Sequence, residues 1–153
     1  MLSTGRTASP CPACSKPCRL QIDPILADLE GSLSRLSDAD TGLSEELQKA
    51  EKDGIPIRTV GASYLEVFRT LGDEIENCRN RMNGFVPPPS LRVYQMTYVR
   101  ALDKCMQSVS FRIKSCEYIV EGDGAEAEKA LRRAKSLTGE FIRIEEQAIK
   151  SMQ

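Results

Sequence analysis

Apolar residues recur at alternating steps of four and three positions through most of this 153-residue chain. That spacing places them on one face of an α-helix, and alternation with a period of two, which would indicate a β-strand, persists nowhere. The first run comprises Ile22, Leu26, Leu29, Leu33, Leu36, Asp40, Leu43, Leu47 and Ala50. Later runs around Phe68, Leu102 and Phe141 have the same rhythm. The pattern predicts an all-α fold.

Residues typical of helix ends divide this pattern into four helices. An Asp followed by Pro is a favourable start, so the first helix is expected to begin at Asp23-Pro24 and to end at Gly54. The capping box Ser63-x-x-Glu66 predicts the start of the second helix, because each side chain satisfies a free backbone amide at the other end. The third helix is expected over residues 91–121 and the fourth over 125–152, separated by a Gly-Asp-Gly turn. Short connections favour antiparallel neighbours, which predicts an up-down-up-down four-helix bundle with long antiparallel helices.

One polar residue, Asp40, interrupts the first run within the sequence SDADTG. Because Ser, Asp and Gly favour turns, two interpretations stay open: one helix with a weak middle, or two helices that break near residues 38–42. The leucines of this run could pack inside the bundle or could pair with their counterparts in a dimer. The architecture of residues 22–53 is therefore the least determined part of the prediction.

Residues 1–21 differ in composition from the rest of the chain. They carry Arg6, Lys16 and Arg19 and no acidic residue, together with several prolines and three cysteines. Such a segment lacks the apolar residues needed to build a core. We therefore expect a flexible, basic, cysteine-containing N-terminal tail over 1–21 and a helical bundle domain over 22–153.

The tail sequence CPACSKPC holds the one local motif with a chemical mechanism, formed by Cys11, Cys14 and Cys18. A Cys-Pro-x-Cys knuckle presents two thiolates to one Zn²⁺, and the third cysteine adds a further ligand. A structural zinc site needs four ligands, so an acid, a water, another subunit or a partner would supply the fourth. Two alternatives stay open: a redox-active or lipid-modified tail, and a disordered tail whose cysteines have no function. The predicted metal site is zinc held by these three thiolates.

No histidine occurs in the chain. This excludes Ser-His-Asp and Cys-His nucleophile systems, histidine-containing zinc and di-iron sites, and every imidazole acid or base. Gly-rich phosphate-binding loops are also missing from the sequence, which predicts no catalytic residue and no cofactor other than zinc. The remaining cysteines, Cys78, Cys105 and Cys116, lie in apolar runs and are expected to be buried, unpaired thiols. The chain is therefore expected not to be an enzyme.

Charge and hydropathy bear on location and partners. The 21 basic and 22 acidic residues leave a net charge of -1, which attracts neither nucleic acid nor anionic lipid. The N-terminus lacks the apolar stretch of a secretory signal, and no run is long enough to span a membrane. A cytoplasmic, reducing location is therefore expected, in which the thiols stay free.

Together these observations favour a non-catalytic interaction or assembly protein. It would bind a protein partner, or itself as a homo-oligomer, through helix faces, with a tail that zinc orders. The alternative is a small zinc-dependent regulatory or nucleic-acid-associated protein that uses the basic cysteine tail. No small-molecule substrate is expected.

Overall fold

The fold is a four-helix bundle, seen in a computed structural model that describes the backbone of residues 12–152 and the side chains of residues 21–152. The helices are α1 (Pro12–Asp53), α2 (Ile57–Gly84), α3 (Arg92–Glu121) and α4 (Gly124–Lys150), with a 3₁₀ turn at Pro89–Leu91 before α3. The described residues contain no β-strand. The predicted all-α, up-down-up-down architecture with long helices is confirmed.

Helix α1 is continuous through the SDADTG sequence, which decides between the two interpretations of residues 38–42 in favour of a single helix. It also begins earlier than the Asp23-Pro24 start that the sequence predicts. Both residues that flank this pair are deeply buried, with Ile22 6% and Ile25 3% exposed. Packing of these side chains holds the helical backbone through Pro24, although proline removes one helical hydrogen bond there.

Helix α2 begins at Ile57, six residues before the predicted capping box, and that prediction is wrong. The Ser63 hydroxyl donates instead to the Thr59 carbonyl oxygen at 3.1 Å, as a helix-interior serine does. Val60 and Gly61 are buried, and Gly61 lies against Ile119 of α3, so tertiary packing stabilises an earlier helix start. A side chain Cβ at Gly61 would lie only 2.7 Å from Ile119 Cγ2, which shows how closely the two helices approach.

Two glycines end helices as the sequence predicts. Gly54 after α1 and Gly122 after α3 both adopt left-handed backbone conformations, with φ of +69° and +81°. In each case the next amide reaches back to an orphan carbonyl oxygen, from Ile55 to Ala50 and from Asp123 to Tyr118, both at 2.8 Å. Asp123 then caps α4, because its side chain accepts from the Glu126 amide at 3.1 Å. Both chain reversals are therefore set locally.

One apolar core runs through the bundle, and every helix contributes to it. The first helix packs inside its own chain, since Leu29, Leu36 and Leu43 are almost fully buried. The largest buried side chains of the other helices are Phe68, Ile75, Met82, Tyr94, Leu102, Val109 and Leu137.

The bundle is closed on three sides and open on the fourth. Helix α1 packs against α2, α2 against α3, and α3 against α4. Over the described residues, no Cα of α1 lies within 8 Å of a Cα of α4. Packed helices have axes about 8–10 Å apart, which brings facing Cα atoms closer than this. We call the gap between these two helices the α1–α4 side.

Candidate interaction surface

The predicted zinc ligands lie where the structure gives no side chains. Cys11 is outside the described residues, and Cys14 and Cys18 belong to the first turns of α1 without described side chains. The zinc site therefore stays a prediction. Among the side chains that are described, no three His, Cys, Asp or Glu residues are grouped closely enough to hold a metal ion.

The other three cysteines, Cys78, Cys105 and Cys116, are free and buried, as the sequence predicts. Burial raises the pKa of Cys105 and of Cys116 to about 12, because the apolar core disfavours the charged thiolate. Desolvation also raises the pKa of the Cys78 thiol. Since the thiolate is the nucleophile and metal ligand, these protonated thiols act as small apolar side chains.

A buried arginine explains the acidic residue in the first apolar run. The Arg112 guanidinium on α3 donates to both carboxylate oxygens of Asp40, each at 2.8 Å. It also donates to the hydroxyl oxygens of Ser108 and Thr138, at 3.1 and 3.2 Å. The Arg112 side chain is 3% exposed and that of Asp40 is 25% exposed. This buried ionic cluster joins α1, α3 and α4 near the middle of the bundle.

Arg112 was missed in the sequence, although a signal was present. It occupies the four-three position between Val109 and Cys116, just as Asp40 occupies one on α1. Two opposite charges in two apolar runs are typical of a buried ion pair. The charged and hydroxyl groups of this cluster bind one another, so the cluster is a structural clamp and offers no unoccupied group for chemistry.

Two other interior polar groups are also engaged within the fold. The Tyr98 hydroxyl donates to the Glu145 carboxylate, and burial together with this bond raises the pKa of Tyr98. Gln95 donates to the carbonyl oxygens of Met82 and Phe85, at 3.0 and 2.7 Å, and so satisfies the C-terminal end of α2. These groups fasten helices to one another.

A groove between α1 and α2 is lined by charged side chains that pair across it. Arg81 donates to Asp28 at 2.6 Å, and Arg35 donates to Glu74. Ser32 also donates to Glu74, at 2.7 Å, and these bonds lower the pKa of the Glu74 carboxyl. The groove is therefore an interhelical clasp that closes this side of the bundle.

Apolar side chains border the open α1–α4 side. The ionic cluster shows which flanks of the two helices border this side, because Arg112 bonds to Asp40 of α1 and to Thr138 of α4. On the same flank of α1 as Asp40, the seventh residues before and after it are Leu33 and Leu47, which are half-buried. On the same flank of α4 as Thr138, Ile142 and Ile149 are 47% and 44% exposed. The flanks that face each other across this side are thus only partly covered.

Exposed charged residues occur elsewhere on the surfaces of α1 and α4. On α1, Glu30, Asp38 and Glu45 are exposed and have no cation within 4 Å among the described residues. On α4, the exposed cations without an acid within 4 Å among the described residues are Lys135, Arg143 and Lys150. Glu146 is an exposed acid among these cations. Asp38 is two residues from Asp40 and therefore lies on the opposite face of α1, and α1 also carries the exposed cations Lys49 and Lys52, so these charges do not form an acidic edge along the α1–α4 side.

Within residues 12–152, no helix combines the length and apolar character that a membrane crossing requires. Comparison of the chain with protein-family models, curated proteins and solved structures finds no match.

Proposed function

We propose that this chain is a non-catalytic helical interaction protein that binds another helical surface along its α1–α4 side. The observation that carries the proposal is the open fourth side of the bundle, bordered by half-buried Leu33 and Leu47 and by exposed Ile142 and Ile149. Amphipathic helices bind in such grooves by placing apolar side chains at helical spacing into them. A bound helix would cover apolar area that the chain itself leaves in water.

A non-catalytic role is supported by the chemistry of the interior. Arg112, Tyr98 and Gln95 each bond to groups of the same chain, and the three described cysteines are buried. Zinc held by Cys11, Cys14 and Cys18 would order the segment at the start of α1 and so present it to the partner.

Site-specific photo-crosslinking in the native source tests this proposal. A photoreactive amino acid replaces Ile142 on the α1–α4 side, and a matched variant carries it at Val67, an apolar residue of α2 that is 40% exposed. We expect a discrete protein adduct from position 142 and none from position 67. The adduct should disappear when Leu33→Glu places a charge on the opposite flank.

Equal labelling from both positions, or none from position 142, would contradict the proposal. Circular dichroism of each variant establishes that the bundle is folded. The crosslinked peptide of the adduct should map to a helix of the captured protein, or to α1 or α4 of a second copy of this chain.

A further inference from the structure

We infer that the occupant of the α1–α4 side is an amphipathic helix of another protein, with Lys and Arg on both sides of its apolar stripe. This inference rests on the proposed function and names the chemistry of the partner that the same surface binds. The partner's chemistry follows from which residues of α1 and α4 face this side, and from the polarity and charge of those residues.

Helical position identifies the residues of α1 that face the α1–α4 side. Residues seven apart share a face, because seven residues make almost two turns of an α-helix. Asp40 faces this side, since it bonds to Arg112, which also reaches Thr138 of α4. The other α1 residues at steps of seven from Asp40 are Leu26, Leu33 and Leu47, and all three are half-buried. We call this row the α1 wall.

The facing row of α4 is identified in the same way. Thr138 and Glu145 are seven residues apart, and both bond to side chains of α3 on this side, Thr138 to Arg112 and Glu145 to Tyr98. Next to them, Ile142 and Ile149 point further towards solvent. The apolar side chains along both walls are Leu26, Leu33, Leu47, Leu131, Ile142, Ile149 and Met152. A helix with apolar residues at four-three spacing would cover them.

Acidic residues lie beside the α1 wall, one position further towards solvent. This row consists of Asp23, Glu30, Ser37, Ser44 and Glu51, which are seven residues apart and all exposed. Among the described side chains, none of its three acids has a cation within 4 Å. The row therefore presents unpaired negative charge along the leucines.

The cations of α1 lie on other faces over residues 21–53. Arg35 bonds to Glu74, which places it on the flank that faces α2. Lys49 is two steps of seven after Arg35 and so shares that flank. Lys52 is two steps of seven after Asp38 and so lies on the outer face of α1. The flank of α1 that borders the α1–α4 side therefore carries no described cation.

Most of the charge on the α4 wall is acidic or already paired. Glu145 keeps its negative charge, because its partner, the Tyr98 hydroxyl, is neutral. Glu128 pairs with Arg132 at 2.7 Å, and Asp40 across the gap is neutralised by Arg112. Lys135 is the one unpaired cation in these rows of described side chains. The unpaired acids that remain beside the apolar walls are Asp23, Glu30, Glu51 and Glu145.

This combination of apolar walls and negative charge selects a basic helix. Lys and Arg on the partner would reach the acids, and their apolar stems would cover the outer parts of the leucine and isoleucine side chains. A helix with acidic flanks would meet like charges, which are repulsive in an interface. The same repulsion disfavours α1 of a second copy as the occupant.

Two synthetic peptides probe the surface. Each forms a helix of about 21 residues, about 31 Å long, with leucines at four-three spacing. One peptide carries Lys on both sides of this stripe and the other carries Glu, so like charges keep each peptide from pairing with itself. Fluorescence anisotropy of the labelled peptide gives its dissociation constant for the full chain. At about 0.15 M salt, charges more than about 8 Å away are largely screened.

We expect the chain to bind the Lys peptide at least about tenfold more tightly than the Glu peptide. The variant Asp23→Lys/Glu30→Lys should weaken binding of the Lys peptide about tenfold, because two attractions become two repulsions that each change the dissociation constant about twofold. The matched control, Asp38→Lys/Glu45→Lys, also replaces one Asp and one Glu seven residues apart on α1. It should change binding less than about twofold, because it alters the outer face.

Three results would overturn the inference: equal affinity for both peptides, no binding of either at about 1 mM protein, or an equal loss in the two variants. All four replaced residues are exposed, so both variants should fold, and circular dichroism checks this.

The crosslinking experiment separates this inference from the proposed function. The helix captured from position 142 should carry Lys and Arg on both sides of its apolar stripe. A captured helix without this basic excess, including α1 of a second copy, overturns the inference and leaves the proposed function standing. No specific crosslink from position 142 removes both.

Discussion

Removal of Asp40 should destabilise the bundle far more than removal of a surface carboxylate. In the variant Asp40→Ala, the Arg112 guanidinium loses both of its carboxylate bonds and stays almost fully buried. A buried charge without a counter-ion has an uncompensated desolvation cost, because water can reach it only where the removed side chain lay.

The expected loss is about 3 kcal/mol of the free energy of unfolding. Breaking one partner of a buried ion pair costs about 3–5 kcal/mol. The lower end applies because the Asp40 side chain is 25% exposed, which admits water, and because Ser108 and Thr138 still accept from Arg112. For a chain of this length, the loss corresponds to a fall in melting temperature of about 6–12 °C.

Urea unfolding followed by far-ultraviolet circular dichroism, at one fixed protein concentration, measures this loss. Asp28→Ala is the matched control, since Asp28 pairs with Arg81 at 2.6 Å but its side chain is 62% exposed. The control should cost less than about 1 kcal/mol, as exposed ion pairs do.

A second variant tests whether the loss of stability comes from burying an unpaired charge or only from losing the contacts of the Asp40 side chain. Asp40→Leu/Arg112→Met replaces the pair with apolar side chains of similar length and completes both apolar runs. It should regain stability to within about 1 kcal/mol of the wild type. The reasoning is refuted if Asp40→Ala costs less than about 1 kcal/mol, or if the double variant is less stable than Asp40→Ala.

Three further predictions concern packing, pH and metal. Gly61→Ala should destabilise by about 1–3 kcal/mol in urea unfolding because its Cβ meets Ile119 at 2.7 Å, whereas Gly139→Ala, with no atom within 4 Å, should stabilise by about 0.5–1 kcal/mol; equal effects would contradict this. As pH rises from 9 towards 12, stability should fall, because the two buried α3 thiols stay protonated in the folded chain, with pKa raised to about 12, but ionise in the unfolded chain from the ordinary value of 9.0. Alanine at both cysteines should reduce this fall in urea unfolding at alkaline pH, while the part due to the buried Tyr98, whose pKa is also raised, should remain. An unchanged slope would exclude the thiols as a cause of the fall. If the N-terminal thiolates hold zinc, protein purified without chelator contains about one zinc per chain and Cys11→Ser/Cys14→Ser contains none; metal-free wild-type protein would rule the site out.

The sequence correctly predicted those helix ends that depend on the conformation of a single residue. Gly54 and Gly122 end helices because only glycine adopts a positive φ at low cost, and that property belongs to the residue itself. The start of α2 was not predictable in this way. The capping box at Ser63 is a local signal, and the burial of Val60 and Gly61 in the bundle outweighs it.

Asp40, the polar residue in the first apolar run, also shows what the local sequence can and cannot predict. The sequence reveals that Asp40 stands at a core position, but a turn and a buried ion pair explain that position equally well. Arg112 lies 72 residues away along the chain, and only the packing of α3 against the rest of the bundle brings it to Asp40. The carboxylate therefore has a partner inside the core, and α1 runs through this position without a break.

The sequence alone predicted the helical class, the number of helices and two of the chain reversals. It also excluded histidine chemistry. These follow from the periodicity of apolar residues and from the properties of single residue types. Only the tertiary structure decided which side of the bundle is open and which residues form the buried ionic cluster. That outcome depends on interhelical distances set by many side chains at once, and periodicity along one helix does not contain them.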